Sequence, residues 1–126
     1  MTMLIKHSVK HGVKLLAALL ATSAQAKEPF VGAWSTGSSV GMARCSDDDD
    51  GKMILTPTSE TGYEHHCKFI RKEKISGNSW RFKSTCTGEG MRWSMNSIIT
   101  VEGTHLTYHT ISHGKAGTNV YRRCGK

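Results

Sequence analysis

The sequence predicts an all-β fold: a small antiparallel up-and-down barrel of seven or eight strands. Three observations carry this. Apolar and polar residues alternate with a period of two through most of the chain beyond residue 62. Short glycine-bearing segments punctuate that alternation. No segment after residue 26 shows the 3.6-residue period of a helix. A two-sheet β-sandwich fits the same pattern and stays open as the alternative. Closure is the economical solution because it removes exposed strand edges. A closed barrel of about eight short strands is filled by side chains, or holds at most one small ligand.

Residues 1–26 read as an export signal. Lys6, Lys10 and Lys14 make the start basic, Leu15 to Ala21 is uninterrupted and apolar, and Ser23-Ala24-Gln25-Ala26 places small residues where a signal peptidase reads. No acidic residue precedes Glu28. The expectation is a periplasmic or secreted protein whose single domain is 27–126. No apolar run reaches the roughly 18 residues of a membrane span. Of the 17 Lys and Arg, three leave with the signal, so 14 face 10 Asp and Glu and the domain carries +4. Much of the basicity, three of the seven net positive charges, therefore belongs to the signal, and nucleic acid is not an expected partner.

The first strand is expected around Gly32-Ala33-Trp34. Tyr63, His65, Cys67 and Phe69 alternate with Glu64, His66 and Lys68. Trp80, Phe82, Ser84 and Cys86 alternate with Arg81, Lys83 and Thr85. Met91, Trp93 and Met95 begin a strand that runs on to Val101, and Leu106, Tyr108 and Thr110 form another. Val120 to Cys124 closes the chain. Turns are expected at Ser76-Gly77-Asn78, Gly88-Glu89-Gly90, Glu102-Gly103 and His113 to Gly117.

Cys45, Cys67, Cys86 and Cys124 are an even set in a small exported domain, which is the pattern of two disulfides. A tetrathiolate zinc site lacks its C-x-x-C pair. Three connectivities are possible. Cys45–Cys67 with Cys86–Cys124 is preferred, because sequence neighbours in a meander are usually spatial neighbours.

Two resemblances follow from short motifs. Gly32-Ala33-Trp34 near the first strand and Tyr121-Arg122-Arg123-Cys124 on the last resemble the lipocalin-like arrangement. That likeness implies a barrel with Trp34 at its floor and either Arg122 or Arg123 lying across the ring. The G-x-W with Cys45 eleven residues after Trp34 is also similar to small exported bacterial barrels that inhibit secreted proteases and lysozymes. The protease inhibitors among them share that motif and use an N-terminal trunk, which here would be Lys27 to Phe30. Uncharacterised four-Cys exported bacterial proteins share the overall pattern, and that likeness assigns no activity.

The remaining constellations bear on chemistry. Asp47-Asp48-Asp49-Asp50-Gly51 fails as an EF-hand, because placing Gly51 sixth puts Ser46 first and Pro57 twelfth. It reads as a solvated acidic turn. His105, His109 and His113 recur every four residues. On a strand that spacing spans about 13 Å, too far for one ion, so a metal site at His105 and His109 needs partners across the sheet, such as His65 and His66. Lys68, Arg71, Lys72, Lys74, Arg81 and Lys83 make a basic hairpin, a candidate surface for an anion or an acidic partner. No G-x-S-x-G, H-E-x-x-H or phosphate loop occurs. The expected function is therefore non-enzymatic and cofactor-free: a monomeric exported binding protein, an inhibitor of a secreted hydrolase or an envelope metal- or anion-binding protein. The partner would be a protein or a small anionic ligand of the cell envelope. A protruding trunk would favour inhibition, histidines converging from two strands would favour metal, and a pocket with a titrating polar pair would favour catalysis.

Overall fold

The computed structural model describes residues 27–36, 45–46, 48–112 and 114–125. Residues 1–26, where the export signal is expected, Asp47 and His113 lie outside them. Eight strands follow in order: β1 (Gly32–Ser35), β2 (Lys52–Leu55), β3 (Ser59–Gly62), β4 (His65–Ser76), β5 (Ser79–Gly88), β6 (Met91–Glu102), β7 (His105–Ser112) and β8 (Lys115–Arg123). Each pairs antiparallel with the next, and β1 pairs with β8, so the sheet closes into a barrel. This is the up-and-down barrel of the sequence reading rather than the sandwich, and its architecture is that of a lipocalin-like barrel in general.

The alternation sets the inner face. Trp80, Phe82, Ser84 and Cys86 of β5 are buried, as are Met95, Ser97, Ile99 and Val101 of β6 and Leu106 and Tyr108 of β7. β2 and β3 add Met53, Leu55 and Glu60. Two expectations shift. Tyr63 is 58% exposed in the turn before β4 rather than facing inward. Lys115, Ala116 and Gly117 belong to β8, so the last turn is tighter than the run His113 to Gly117 suggested.

One end of the barrel is plugged. Phe30 is fully buried and meets Trp80 and Phe82 edge-on, at centroid distances of 5.2 and 5.3 Å. Trp34 Nε1 donates to the Phe30 carbonyl at 2.8 Å. The Arg123 guanidinium lies 4.1 Å from the centre of the Trp34 ring and donates to the carbonyls of Val31 and Pro29. Arg122, the next residue on the same strand, is exposed on the opposite face. Arg123→Ala should therefore cost about 1 to 2 kcal/mol through lost cation–π contact and stem packing. Arg122→Ala should leave the midpoint of chemical unfolding unchanged. Equal midpoint shifts in the two variants would refute this assignment. Gly32 explains the close approach: its φ is +142°, and a Cβ there would lie 2.8 Å from Arg123 Nη1.

The disulfides are Cys45–Cys124 and Cys67–Cys86, which overturns the preferred Cys45–Cys67 and Cys86–Cys124 pairing. Cys67 and Cys86 face each other directly across the β4–β5 ladder, with Cα atoms 4.0 Å apart. Closure brings the chain beyond β8 back beside the start, because Cys124 N donates to the Ala33 carbonyl. Nearness in sequence misses that junction, since closing a barrel makes the first and last strands neighbours.

Candidate functional site

The turns β3–β4, β5–β6 and β7–β8, and the acidic segment before β2, lie at the end of the barrel opposite the plug. Beneath them opens a cavity of about 350 Å³, with Glu60, His65, Trp93, Met95, Tyr108 and Tyr121 among its walls. Tyr63, Glu64 and Glu89 stand at its mouth. Among the described residues, no Lys or Arg lines it.

Glu60 is its central group. It sits on the inner face of β3, directly opposite Cys67, and is 3% exposed. A carboxylate so buried needs partners. Tyr108 donates its hydroxyl proton to Oε1. His65 Nε2 lies 2.8 Å from Oε2. The other His65 nitrogen, Nδ1, lies 3.2 Å from the Tyr63 carbonyl, which can only accept. With Nδ1–H committed there, Nε2 and Oε2 would meet lone pair to lone pair unless a positive charge lies between them. The geometry therefore favours the protonated imidazole. The hydrogen bond to Glu60 raises the His65 pKa above its ordinary value, ahead of burial, which works the other way.

Tyr108 is raised first by burial and then by the Glu60 charge, so it stays a proton donor. Ser97 pulls slightly the other way without forming an aligned hydrogen bond. Tyr121 is raised by the same two causes, burial first. Gly62 makes room for the His65 ring, since a Cβ there would lie 2.2 Å from His65 Cε1.

The rim is acidic. Glu64 and Glu89, on neighbouring turns, are the only non-glycine described residues with positive φ, 56° and 49°. A hydrogen bond with Glu64, reinforced by its charge, raises Glu89 above the ordinary carboxylate value. The Tyr63 phenol is raised by the charges of Glu64 and then Asp50. Within the acidic run, Asp49 is spent on structure: it accepts from Ser35 Oγ at 2.5 Å and from Gly51 N at 2.9 Å.

The other residues singled out from the sequence fall elsewhere. His105 and His109 lie on the outer face of β7, with His105 opposite Arg122 and His109 bonded to Thr118. Neither joins the cluster that could hold a metal, which among the described residues is Glu60, His65 and Cys67. The basic hairpin does not form one patch. Lys68, Arg71, Arg81 and Lys83 face outward, and Arg81 pairs with Glu73 at 3.0 Å. Lys72 and Lys74 turn to the inner side over the rings of Phe30 and Trp80. Lys72 also binds Glu28 at 2.6 Å and the Pro57 carbonyl, which ties the supposed trunk to the barrel. Glu60, Tyr108 and Tyr121 were not legible from the sequence as functional groups, and His65 was legible as a cross-sheet partner for His105 and His109 but not as a partner of Glu60.

No protein-family model, curated protein or solved structure matches the chain, so the likeness to lipocalin-like barrels rests on architecture alone. A closed barrel with a buried His/Glu/Cys cluster beside an open cavity supports a general binding role.

Proposed function

We propose that this protein is an exported, non-enzymatic binding barrel that takes up a cation through its open end and holds it between Glu60 and His65. The observation that carries this reading is the geometry of those two residues. Nδ1 of His65 is fixed by a backbone carbonyl, and Nε2 points at a buried carboxylate oxygen 2.8 Å away. A ring nitrogen fixed in this way is how a metal-binding histidine is oriented. The acidic rim and the wall free of Lys and Arg support a positive ligand over an anion. A borderline divalent ion such as Zn²⁺ suits one imidazole and one carboxylate, with water completing the shell. The non-enzymatic reading is supported by Glu60, His65 and Tyr108 satisfying one another, so that none of these three is a free base in the cavity. The inhibitor reading has less support, because Glu28 is bound to Lys72 and Phe30 is buried.

Titration calorimetry of the oxidised protein with ZnCl₂ tests the proposal. One equivalent should bind and displace the His65 proton, so affinity should rise with pH. Glu60→Gln and His65→Ala should each weaken binding by about tenfold or more. Binding that ignores both substitutions would place the ion elsewhere and refute the reading.

Without metal, the same pair makes stability depend on pH. His65 holds its proton more tightly folded than unfolded. Its contribution is complete below the ordinary value of about 6.5 and is lost as pH rises through the raised folded value. In Glu60→Gln that part of the pH dependence should shrink and the His65 titration, followed by NMR, should move down. A titration that stays in place would show that Glu60 is not its cause.

A further inference from the structure

Beneath the Glu60–His65 pair lies a group that is not a metal ligand as it stands. A carboxylate oxygen of Glu60, a ring nitrogen of His65 and the sulfur of Cys67 lie within 4.8 Å of one another. That sulfur is bonded to Cys86. A disulfide sulfur carries no charge and binds metal poorly, whereas a thiolate is among the strongest ligands for zinc. The topology puts all four residues together. Glu60, Cys67 and Cys86 form one row across β3, β4 and β5, and His65 is the next inward-facing residue on β4. Cys67 and Cys86 are fully buried.

We infer that this disulfide gates a metal centre: reduction adds the Cys67 and Cys86 thiolates to His65 and Glu60. The result is a four-ligand site for a thiophilic divalent ion such as Zn²⁺. The inference rests on the reading of Glu60 and His65 as a cation site and adds the state in which that site binds tightly. A tetrahedral zinc, with bonds of about 2.0 to 2.3 Å, holds its ligand atoms roughly 3.3 to 3.8 Å apart. The Glu60, His65 and Cys67 atoms therefore have to contract by about 1 Å, and the Cys86 sulfur, released from Cys67, has to turn toward them by side-chain rotation once the S–S bond is gone. A dithiol reductant supplies two electrons and two protons: the Cys67–Cys86 bond breaks, two thiols form, and the reductant closes to its own disulfide. The metal then displaces both thiol protons and the proton on His65 Nε2, so three protons leave for each ion bound. The β4–β5 ladder, which pairs residues on both sides of the bridge, can hold the hairpin together without it.

Co²⁺ is the probe, because thiolate ligation gives it charge-transfer absorption and tetrahedral ligation strengthens its visible bands. The full-length domain is titrated before and after reduction with dithiothreitol. Before reduction no thiolate band should appear. After reduction one equivalent should bind with the band, at least a hundredfold more tightly. In reduced His65→Ala affinity should drop about tenfold or more. The double variant Cys67→Ala/Cys86→Ala, which keeps Cys45 and Cys124, should show no band. If the reduced chain loses near-ultraviolet circular dichroism without metal, Zn²⁺ should restore it in the wild type and not in His65→Ala. Reduced protein binding no tighter than oxidised, or a band that survives in the double variant, overturns the inference. Zinc binding by the oxidised protein, measured separately, decides the two-ligand site, so the two failures are distinguishable.

Discussion

Trp34→Ala is expected to cost about 3 to 5 kcal/mol, most of the margin of a small domain. The ring is fully buried at the plugged end. Its removal leaves a cavity beneath the barrel and deletes the 2.8 Å bond that satisfies the Phe30 carbonyl. It also takes away the surface on which Arg123 rests at 4.1 Å. Trp34→Phe keeps much of the packing but neither the indole N–H nor the full ring, and should fall between. Chemical unfolding followed by circular dichroism measures both. A wild-type midpoint in Trp34→Ala would mean that the plug contributes nothing to stability. Gly32→Ala belongs with these: its +142° backbone and the crowded Arg123 end should make it lose about 1 to 3 kcal/mol.

Opening the Cys45–Cys124 bridge is the other large effect. It joins residues 79 apart, against 19 for Cys67–Cys86. Loop-closure entropy then assigns about 4.5 kcal/mol to the first and about 3.3 kcal/mol to the second. Cys45→Ala/Cys124→Ala should therefore unfold at lower denaturant than Cys67→Ala/Cys86→Ala. The reverse order would show that the constraint on the unfolded chain is not what the long bridge supplies.

The fold was legible where apolar residues report the face. Trp80, Phe82 and Cys86, or Leu106 and Tyr108, announce both strand and orientation. It was not legible where the chain departs from simple alternation. The register shift between Phe69 and Arg71 exchanges the two faces of β4, which sends Lys72 and Lys74 inward and divides a hairpin that reads as uniformly basic. Pairwise nearness could not show that β8 returns to β1 and carries Cys124 to Cys45.

The site was less legible still. Glu60 lies in Thr58-Ser59-Glu60-Thr61-Gly62, a stretch without one large apolar residue, so no alternation marks its strand. His65 was visible on an inner face, but what makes it a ligand candidate is a carboxylate on the preceding strand. His105 and His109 stand out by their spacing and lie outside the barrel. Only Gly62, beside the His65 ring, and the placement of Tyr108 on an apolar face carried a trace of the site.

The closing junction sets where the barrel opens first. Among the described residues β1 and β8 share two register pairs, Trp34 with Arg123 and Ser35 with Arg122, whereas β5 and β6 share ten. Every other pairing joins consecutive strands and can form locally, but this one waits for the whole meander to wrap. It should be the last contact made in folding and the cheapest to break in the native state. Native-state hydrogen exchange should then show the β8 amides that face β1 exchanging through a partial opening, well below the global unfolding free energy, while the β5–β6 amides exchange only with it. With the Cys45–Cys124 bridge cut, that partial opening should become more frequent and the β5–β6 class should track only the lower global stability. Uniform exchange around the barrel would mean that it opens all at once.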